Sequence, residues 1–83
     1  MNIYEKVTKK ILFYLDKMEK DKDFKKNNPN ITSKEYLYNK VIPNITSRRL
    51  TNILNGKAKI ITLAELVCIA QALNIEVYDL FKY

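Results

Sequence analysis

One five-residue segment, Pro-Asn-Ile-Thr-Ser, occurs twice in the chain, at residues 29–33 and again at 43–47. The offset between the copies is too short for a solenoid repeat, so the segment is better interpreted as a device that starts a helix. A threonine hydroxyl caps a helix because it accepts a hydrogen bond from an unpaired N–H group of the first turn. Ile61-Thr62 repeats the Ile-Thr pair of the segment. The sequence therefore predicts three helices, which start near residues 33, 47 and 63.

The isoleucine that precedes each threonine supports the same interpretation. An apolar residue just before a helix cap can pack against the fourth residue of the helix. The expected partners are apolar or aromatic in all three cases, which are Ile31 with Tyr36, Ile45 with Leu50, and Ile61 with Leu66.

The three helix starts differ at the third helical position. Glu35 and Glu65 occupy it behind Thr32 and Thr62, which predicts a capping box in both helices. The middle helix has Arg49 there, with Arg48 beside it. Each positive charge at a helix N-terminus costs about 0.3–1 kcal/mol, and an arriving polyanion would turn that cost into an attraction. We interpret this N-terminus as a functional site; the alternative is that two exposed arginines are simply tolerated.

The remaining segments predict more helix and one loop. Apolar residues at three- and four-residue steps predict a first helix over about 3–20. Residues 21–30 are polar and include Asn-Asn-Pro-Asn, which predicts a long loop. The middle helix is expected to end at Asn55-Gly56, since glycine readily adopts the left-handed conformation that follows a helix. Two more helices are predicted over about 62–73 and 77–81. Asn74 stops the first of these, which carries a helically spaced apolar set of Leu63, Leu66, Val67, Ala70 and Leu73.

The small number of helix breakers decides the fold class. One glycine and two prolines favour helices over a turn-rich β fold. The length of 83 residues indicates one domain over 1–83. We therefore predict an all-α protein of five helices, with a helix-turn-helix over about 32–56.

Several classes of function are excluded by the residue types present. The chain has no histidine and one cysteine, so it cannot form a four-ligand zinc site or a Ser-His-Asp or Cys-His catalytic group. With one glycine it has no glycine-rich phosphate loop. The acids between residues 16 and 23 alternate with lysines, which is typical of a solvated mixed-charge face. We predict a non-enzyme without metal or cofactor.

Positive charge is concentrated in the middle of the chain. Residues 31–60 carry six lysines or arginines against Glu35 alone, a net charge of +5. Residues 1–30 have a net charge of +3 and residues 61–83 a net charge of −2. Clustered positive charge is typical of proteins that bind a polyanion. No signal peptide and no apolar run long enough to span a membrane is visible, so a cytoplasmic location is expected.

Two stretches resemble the phage-repressor and Cro family of helix-turn-helix proteins (Xre family). Residues 46–57 resemble its recognition helix and the turn that follows, and residues 61–75 with Asp79-Leu80-Phe81 resemble its fourth and fifth helices. The resemblance covers about residues 31–81. It implies a five-helix domain and sequence-specific binding of double-stranded DNA by a small transcriptional regulator of a phage or mobile element, a repressor, with the recognition helix in the major groove.

The resemblance also assigns roles to individual residues. Ser47, Arg48 and Asn52 would face bases, with Arg49 and Thr51 flanking them. Two other groups would hold phosphates, the first at the start of the preceding helix and the second after the recognition helix. The first group is Thr32, Ser33 and Lys34, and the second is Asn55, Lys57 and Lys59.

The chain departs from this family in three places. The segment from Leu37 to Asn44 is about three residues longer than the family's turn and contains Pro43. The loop between the first two helices is longer and rich in lysine. Ile60 and Ile61 stand where the family is often polar; packing behind the helix cap explains Ile61 and leaves Ile60 unexplained.

Two alternatives on the same scaffold remain open. Both are protein-binding modules, one a phage or plasmid inhibitor of a host factor and the other an antitoxin that binds its toxin and its own operator. RNA binding is less favoured because the tyrosines form no stacking platform. For the DNA-binding function we expect a homodimer that reads two half-sites. Its contact is assigned to the apolar or aromatic residues that the core leaves over, namely Ile60, Val77, Tyr78 and Tyr83. The chain is either a small regulator or an N-terminal domain.

Overall fold

The computed structural model describes residues 2–82, and this part of the chain consists of helices and connecting turns with no strand. Five α-helices are followed by a short 3₁₀ helix. They are α1 (Ile3–Glu19), α2 (Lys22–Asn27), α3 (Ser33–Val41), α4 (Ser47–Leu54), α5 (Leu63–Ala72) and the 3₁₀ helix Val77–Leu80. The predicted all-α class is confirmed. None of these helices is both long and apolar enough to cross a lipid bilayer.

The three threonine-capped helices begin where the sequence predicts. The hydroxyl oxygens of Thr32, Thr46 and Thr62 accept hydrogen bonds from the N–H groups three residues later, at 3.1, 3.2 and 3.2 Å. Only Thr62 has the full capping box, because its own N–H donates to Glu65 Oε1 at 2.9 Å. The box predicted behind Thr32 is incomplete, since the Glu35 carboxylate lies 3.4 Å from the Thr32 hydroxyl rather than on its N–H.

The polar loop predicted over 21–30 was wrong in part, because α2 occupies Lys22–Asn27. Asp21 caps this helix by accepting hydrogen bonds from the N–H groups of Asp23 and Phe24. The Phe24 ring packs edge-on against Tyr36, with ring centroids 5.2 Å apart. A helix this short is marginal by itself, so it depends on contacts with its neighbours, which are this ring contact with α3 and the ion pair of Lys25 with Glu19 of α1.

The core lies between α1, α3, α4 and α5, and the 3₁₀ helix closes it. Its most buried side chains are Val7, Ile11, Leu37, Val41, Leu50, Ile53, Ile69 and Leu80. Of the predicted capping pairs, Ile45 with Leu50 and Ile61 with Leu66 are buried, whereas Ile31 and Tyr36 are half-buried. Leu63 was predicted to share the apolar side of its helix, but it is 69% exposed because it occupies the first position of α5.

Two buried hydroxyl groups fix α1 to the helices beside it. Thr8 Oγ1 donates to the Ile53 carbonyl of α4 at 2.9 Å, and Ser33 Oγ donates to the Leu15 carbonyl of α1 at 2.7 Å. Within residues 2–82 every buried side-chain nitrogen or oxygen has a hydrogen-bond partner. Because buried polar groups tolerate little displacement, these bonds set the positions of α4 and α3 relative to α1.

Candidate nucleic-acid interface

Helix α4 is held by its apolar side, and this determines what its opposite side presents. Leu50, Ile53 and Leu54 are buried. The first turn contains no acidic residue, and Gly56 ends the segment with a φ of 73°, in the left-handed region that glycine favours. The side of α4 that faces solvent is therefore polar, and its N-terminal end carries the positive end of the helix dipole.

Arg48, Asn52 and Asn55 follow one another at four- and three-residue steps, so they lie along one line of α4. All three are exposed. No hydrogen bond or ion pair within residues 2–82 engages their side chains. Ser47, also exposed, has a hydroxyl that bonds to nothing else in this part of the chain. Four residues predicted from the sequence to meet DNA are thus available to a ligand.

Arg49 has a different role from the one predicted. Its Nε donates to Glu65 Oε2 at 2.7 Å, and its Nη2 donates to Glu65 Oε1 at 2.9 Å and to the Ile60 carbonyl at 2.6 Å. This bidentate bond holds the pKa of Glu65 at about 2 and raises the pKa of Arg49. The predicted base contact by Arg49 is therefore corrected, because its guanidinium joins α4 to α5. Arg48 is left as the one arginine in the first turn of α4 without an acidic partner among the described residues.

The hydroxyl of Thr51 is also committed within the protein. It donates to the Ser47 carbonyl at 2.8 Å and lies 2.6 Å from the Tyr38 hydroxyl. Since the Thr51 hydrogen is already donated, Tyr38 is the donor in the second bond. Thr51 remains exposed, so its methyl group stays accessible to a base.

Tyr38 was not among the residues singled out from the sequence. It lies between the phosphate contacts predicted at the start of α3 and the base contacts predicted on α4. It lines a shallow depression of about 420 Å³ together with Thr32, Lys34, Glu35 and Asn39 of the α3 segment. Its hydroxyl at the same time bonds to Thr51 of α4. Tyr38 therefore connects the side of α3 that carries Thr32 and Lys34 with Thr51 on the exposed side of α4.

The predicted phosphate contacts divide into available and buried groups. Lys34, Lys57 and Lys59 are exposed, and none of them forms an ion pair within residues 2–82. Thr32 is exposed beside Lys34. Ser33 is corrected, because it is 5% exposed and its hydroxyl is bonded to the Leu15 carbonyl. We name the exposed residues of the predicted DNA contacts the α4 surface: Thr32, Lys34, Ser47, Arg48, Thr51, Asn52, Asn55, Lys57 and Lys59.

A structural role and a phosphate contact for Ser33 predict opposite effects of its substitution on stability and on DNA binding. Ser33→Ala is expected to lower the free energy of unfolding by about 1 kcal/mol, because it removes one buried hydroxyl–carbonyl hydrogen bond. Urea unfolding measures this change. The affinity for duplex DNA at fixed salt should stay unchanged. Lys34→Ala is the matched comparison and should leave stability unchanged. A Ser33 variant of normal stability and weakened DNA binding would contradict the assignment.

Comparison of the chain with protein-family models, with curated proteins and with solved structures finds no match. The site is therefore defined by its own geometry.

The residues predicted to form a dimer contact differ in how far they are exposed. Ile60 and Tyr78 are 63% and 70% exposed, and in the sequence Ile60 precedes α5 whereas Tyr78 follows it. Val77 is half-buried and packs against the core. Tyr83 lies outside the described residues. The sequence missed that Leu63 is exposed close to Ile60, at the end of a groove of about 650 Å³ along α5.

Proposed function

We propose that this protein binds double-stranded DNA in a sequence-specific manner through the α4 surface, as a small transcriptional repressor with a phage-repressor-like helix-turn-helix. Arg48 is the observation that carries the proposal. It stands exposed in the first turn of a helix that has no acid there, while the adjacent Arg49 is neutralised by Glu65. A positive charge kept unpaired at the positive end of a helix lowers stability and favours an anionic ligand.

The residues beside Arg48 supply the chemistry for reading bases. An arginine can donate two hydrogen bonds to O6 and N7 of guanine, and an asparagine can pair with N6 and N7 of adenine. Arg48 and Asn52 lie one helical turn apart, so both can reach into the major groove from one helix. Ser47 and the Thr51 methyl group complete the set that would face bases.

The remaining residues of the α4 surface are suited to phosphates. Lys57 and Lys59 follow the C-terminal end of α4, and Thr32 and Lys34 lie at the start of α3. Lysine side chains without acidic partners bind phosphates without reading sequence, and they position the protein on the duplex. The binding constant should therefore fall steeply with salt, with a log–log slope of roughly −0.9 for each phosphate neutralised.

Selection of bound duplexes from a random pool tests the proposal. The purified protein is expected to enrich one short sequence over several rounds, and the enriched duplex should bind about 10³-fold or more tightly than the starting pool. A pool that stays random, or binding that depends on salt alone, would show that the protein does not read sequence.

We also propose that the protein acts as a homodimer, with the contact near the N-terminal end of α5. Between Ile60 and Ile75 the single charged residue is Glu65, and Arg49 neutralises it. Ile60 and Leu63 are the exposed apolar residues at this end. Depletion of charge around exposed apolar side chains is typical of the centre of an interface. Tyr78 is less suited to this role because Lys82 lies over its ring at 6.0 Å.

Ile60→Asp is expected to weaken dimer formation by at least about tenfold, because a twofold contact would bring two buried carboxylates together. Sedimentation velocity over a range of concentrations measures the change. Tyr78→Asp, which adds the same charge at the other end of α5, should leave the dimer intact. A wild-type protein that sediments as a monomer at every concentration would contradict the proposed dimer.

A further inference from the structure

The outward side of α1 carries a second basic surface that the DNA-binding proposal does not use. Phe13 is 50% exposed at its centre. Four lysines lie seven, four and three residues before Phe13 and four residues after it, which places them on the same side of the helix. We call this group the α1 face; it consists of Lys6, Lys9, Lys10, Phe13 and Lys17.

Two acidic residues of α1 are paired with lysines other than those of the α1 face. Asp16 pairs with Lys20 at 3.0 Å, and Glu19 pairs with Lys25 at 2.9 Å. Asp16 and Lys20 follow Phe13 by three and seven residues, on the same side of the helix, so their pair adds no net charge there, and Lys25 belongs to α2. Within residues 2–82, Lys9, Lys10 and Lys17 form no ion pair. Lys9, Lys10 and Lys17 therefore keep their positive charge although acids are present on the same helix.

The lysines are arranged around the aromatic ring. The Nζ atoms of Lys10 and Lys17 lie 5.0 and 5.7 Å from the centroid of the Phe13 ring. The neighbouring Tyr14 ring meets Phe13 edge-on, with the centroids 5.4 Å apart. These cation–π and edge-on contacts hold the ammonium groups close to a phenyl ring that remains half open to solvent. Phe13 and Lys10, together with Lys6 and Lys9, line a shallow groove of about 310 Å³.

The α1 face is directed away from the α4 surface. The Thr8 hydroxyl bonds to the Ile53 carbonyl of α4, so Thr8 marks the side of α1 that meets α4. Phe13 follows Thr8 by five residues, which corresponds to a rotation of about 140° around the helix axis. A ligand on the α1 face would therefore leave the α4 surface accessible.

We propose that the α1 face binds an acidic polypeptide segment that carries an apolar side chain among its carboxylates. Phe13 provides an aromatic anchor and the lysines provide a surrounding positive field, an arrangement typical of protein–protein contacts. The phosphate backbone of a duplex would use the lysines and leave the phenyl ring without a role. A membrane surface needs a broader apolar face, and the main apolar side of α1 is buried in the core.

The proposal is tested with a fluorescein-labelled peptide of glutamates around a central pair of leucines, by anisotropy at fixed salt. The Phe13→Ala variant is expected to bind it at least about tenfold more weakly at unchanged charge. The Lys9→Glu, Lys10→Glu double variant should show a similar loss. Lys22→Glu, Lys26→Glu is the control with the same charge change on α2, and it should retain most of the affinity. Circular dichroism establishes that each variant keeps its helical content.

Three outcomes would overturn the proposal. The first is equal weakening by the two charge reversals, which would show attraction by net charge alone. The second is unchanged affinity of Phe13→Ala. The third is Phe13-dependent binding of single-stranded DNA or of phosphatidylserine vesicles while the peptide does not bind. Arg48→Ala should not change peptide binding, so this result is independent of the α4 surface.

Discussion

Arg48→Ala lowers the affinity for the selected duplex by about 1–3 kcal/mol, or roughly 5- to 150-fold, if Arg48 bonds to a guanine in the major groove. Repeating the selection with this variant should relax the preference at one base position and preserve the others. Asn52→Ala should produce a comparable loss at a different position. Because Asn52 carries no charge, its replacement should leave the salt dependence of binding unchanged.

Lys22→Ala is the matched control for Arg48→Ala. It removes one exposed positive charge from α2, outside the α4 surface. It should reduce binding to the selected duplex and to random duplexes only slightly, and by the same factor for both. An Arg48 variant that behaved like Lys22→Ala would show that Arg48 adds charge without reading a base.

The ion pair of Arg49 and Glu65 predicts a loss of stability in acid. The pKa of Glu65 is about 2, below its ordinary value of 4.5, chiefly because its carboxylate accepts hydrogen bonds from Arg49. The stabilisation is complete above pH 4.5 and is lost as the pH falls towards 2, since the unfolded chain binds the proton more readily. The Arg49 and Glu65 side chains are 35% and 16% exposed, so we expect about 1–3 kcal/mol after allowance for solvent screening.

Urea unfolding at a series of pH values measures this loss. Glu65→Gln removes the charge and keeps an oxygen that can accept from the Thr62 N–H, so its stability should change less across the same pH interval. Arg49→Ala should lower stability at neutral pH by a similar amount, and the two substitutions together should be less than additive. Equal pH dependence in the wild type and in Glu65→Gln would mean that the pair does not stabilise the fold.

The helix starts could be predicted because their signals are local. Thr32, Thr46 and Thr62 cap helices through atoms three residues away. Gly56 and Asn74 both have the positive φ that their positions predict. The exposure of Arg48 and Asn52 follows from the spacing of Leu50, Ile53 and Leu54, which fixes the buried side of α4.

The errors concern contacts between residues that are distant in sequence. The family resemblance places Arg49 beside the base-facing residues, and nothing local in the sequence shows that Glu65 reaches it from α5. The capping box predicts that the Glu65 carboxylate accepts a hydrogen bond from Thr62, but it does not predict that the same carboxylate also accepts from Arg49. The phosphate contact predicted for Ser33 has the same difficulty, since the Ser33 hydroxyl donates to the Leu15 carbonyl of α1.

Helix α2 and the α1 face illustrate a second limit of prediction from the sequence. The polar composition of residues 21–30 predicts a loop, and the helix there is held by the Phe24–Tyr36 ring contact and by the ion pair of Lys25 with Glu19 of α1. Phe13 lies outside the regular apolar stripe of α1, so the periodicity of the sequence assigns it no partner. The structure shows that solvent and lysines surround it. Neither feature follows from spacing alone, because each depends on which side of a helix finds a neighbour.

The most direct test of DNA binding through the α4 surface is an NMR titration of the ¹⁵N-labelled protein with the selected duplex. The account predicts that the largest amide shifts fall on residues 46–59 and at the start of α3, with little change along the outward side of α1. Shifts concentrated on α1 or α5, with the amides of Arg48 and Asn52 unmoved, would contradict it.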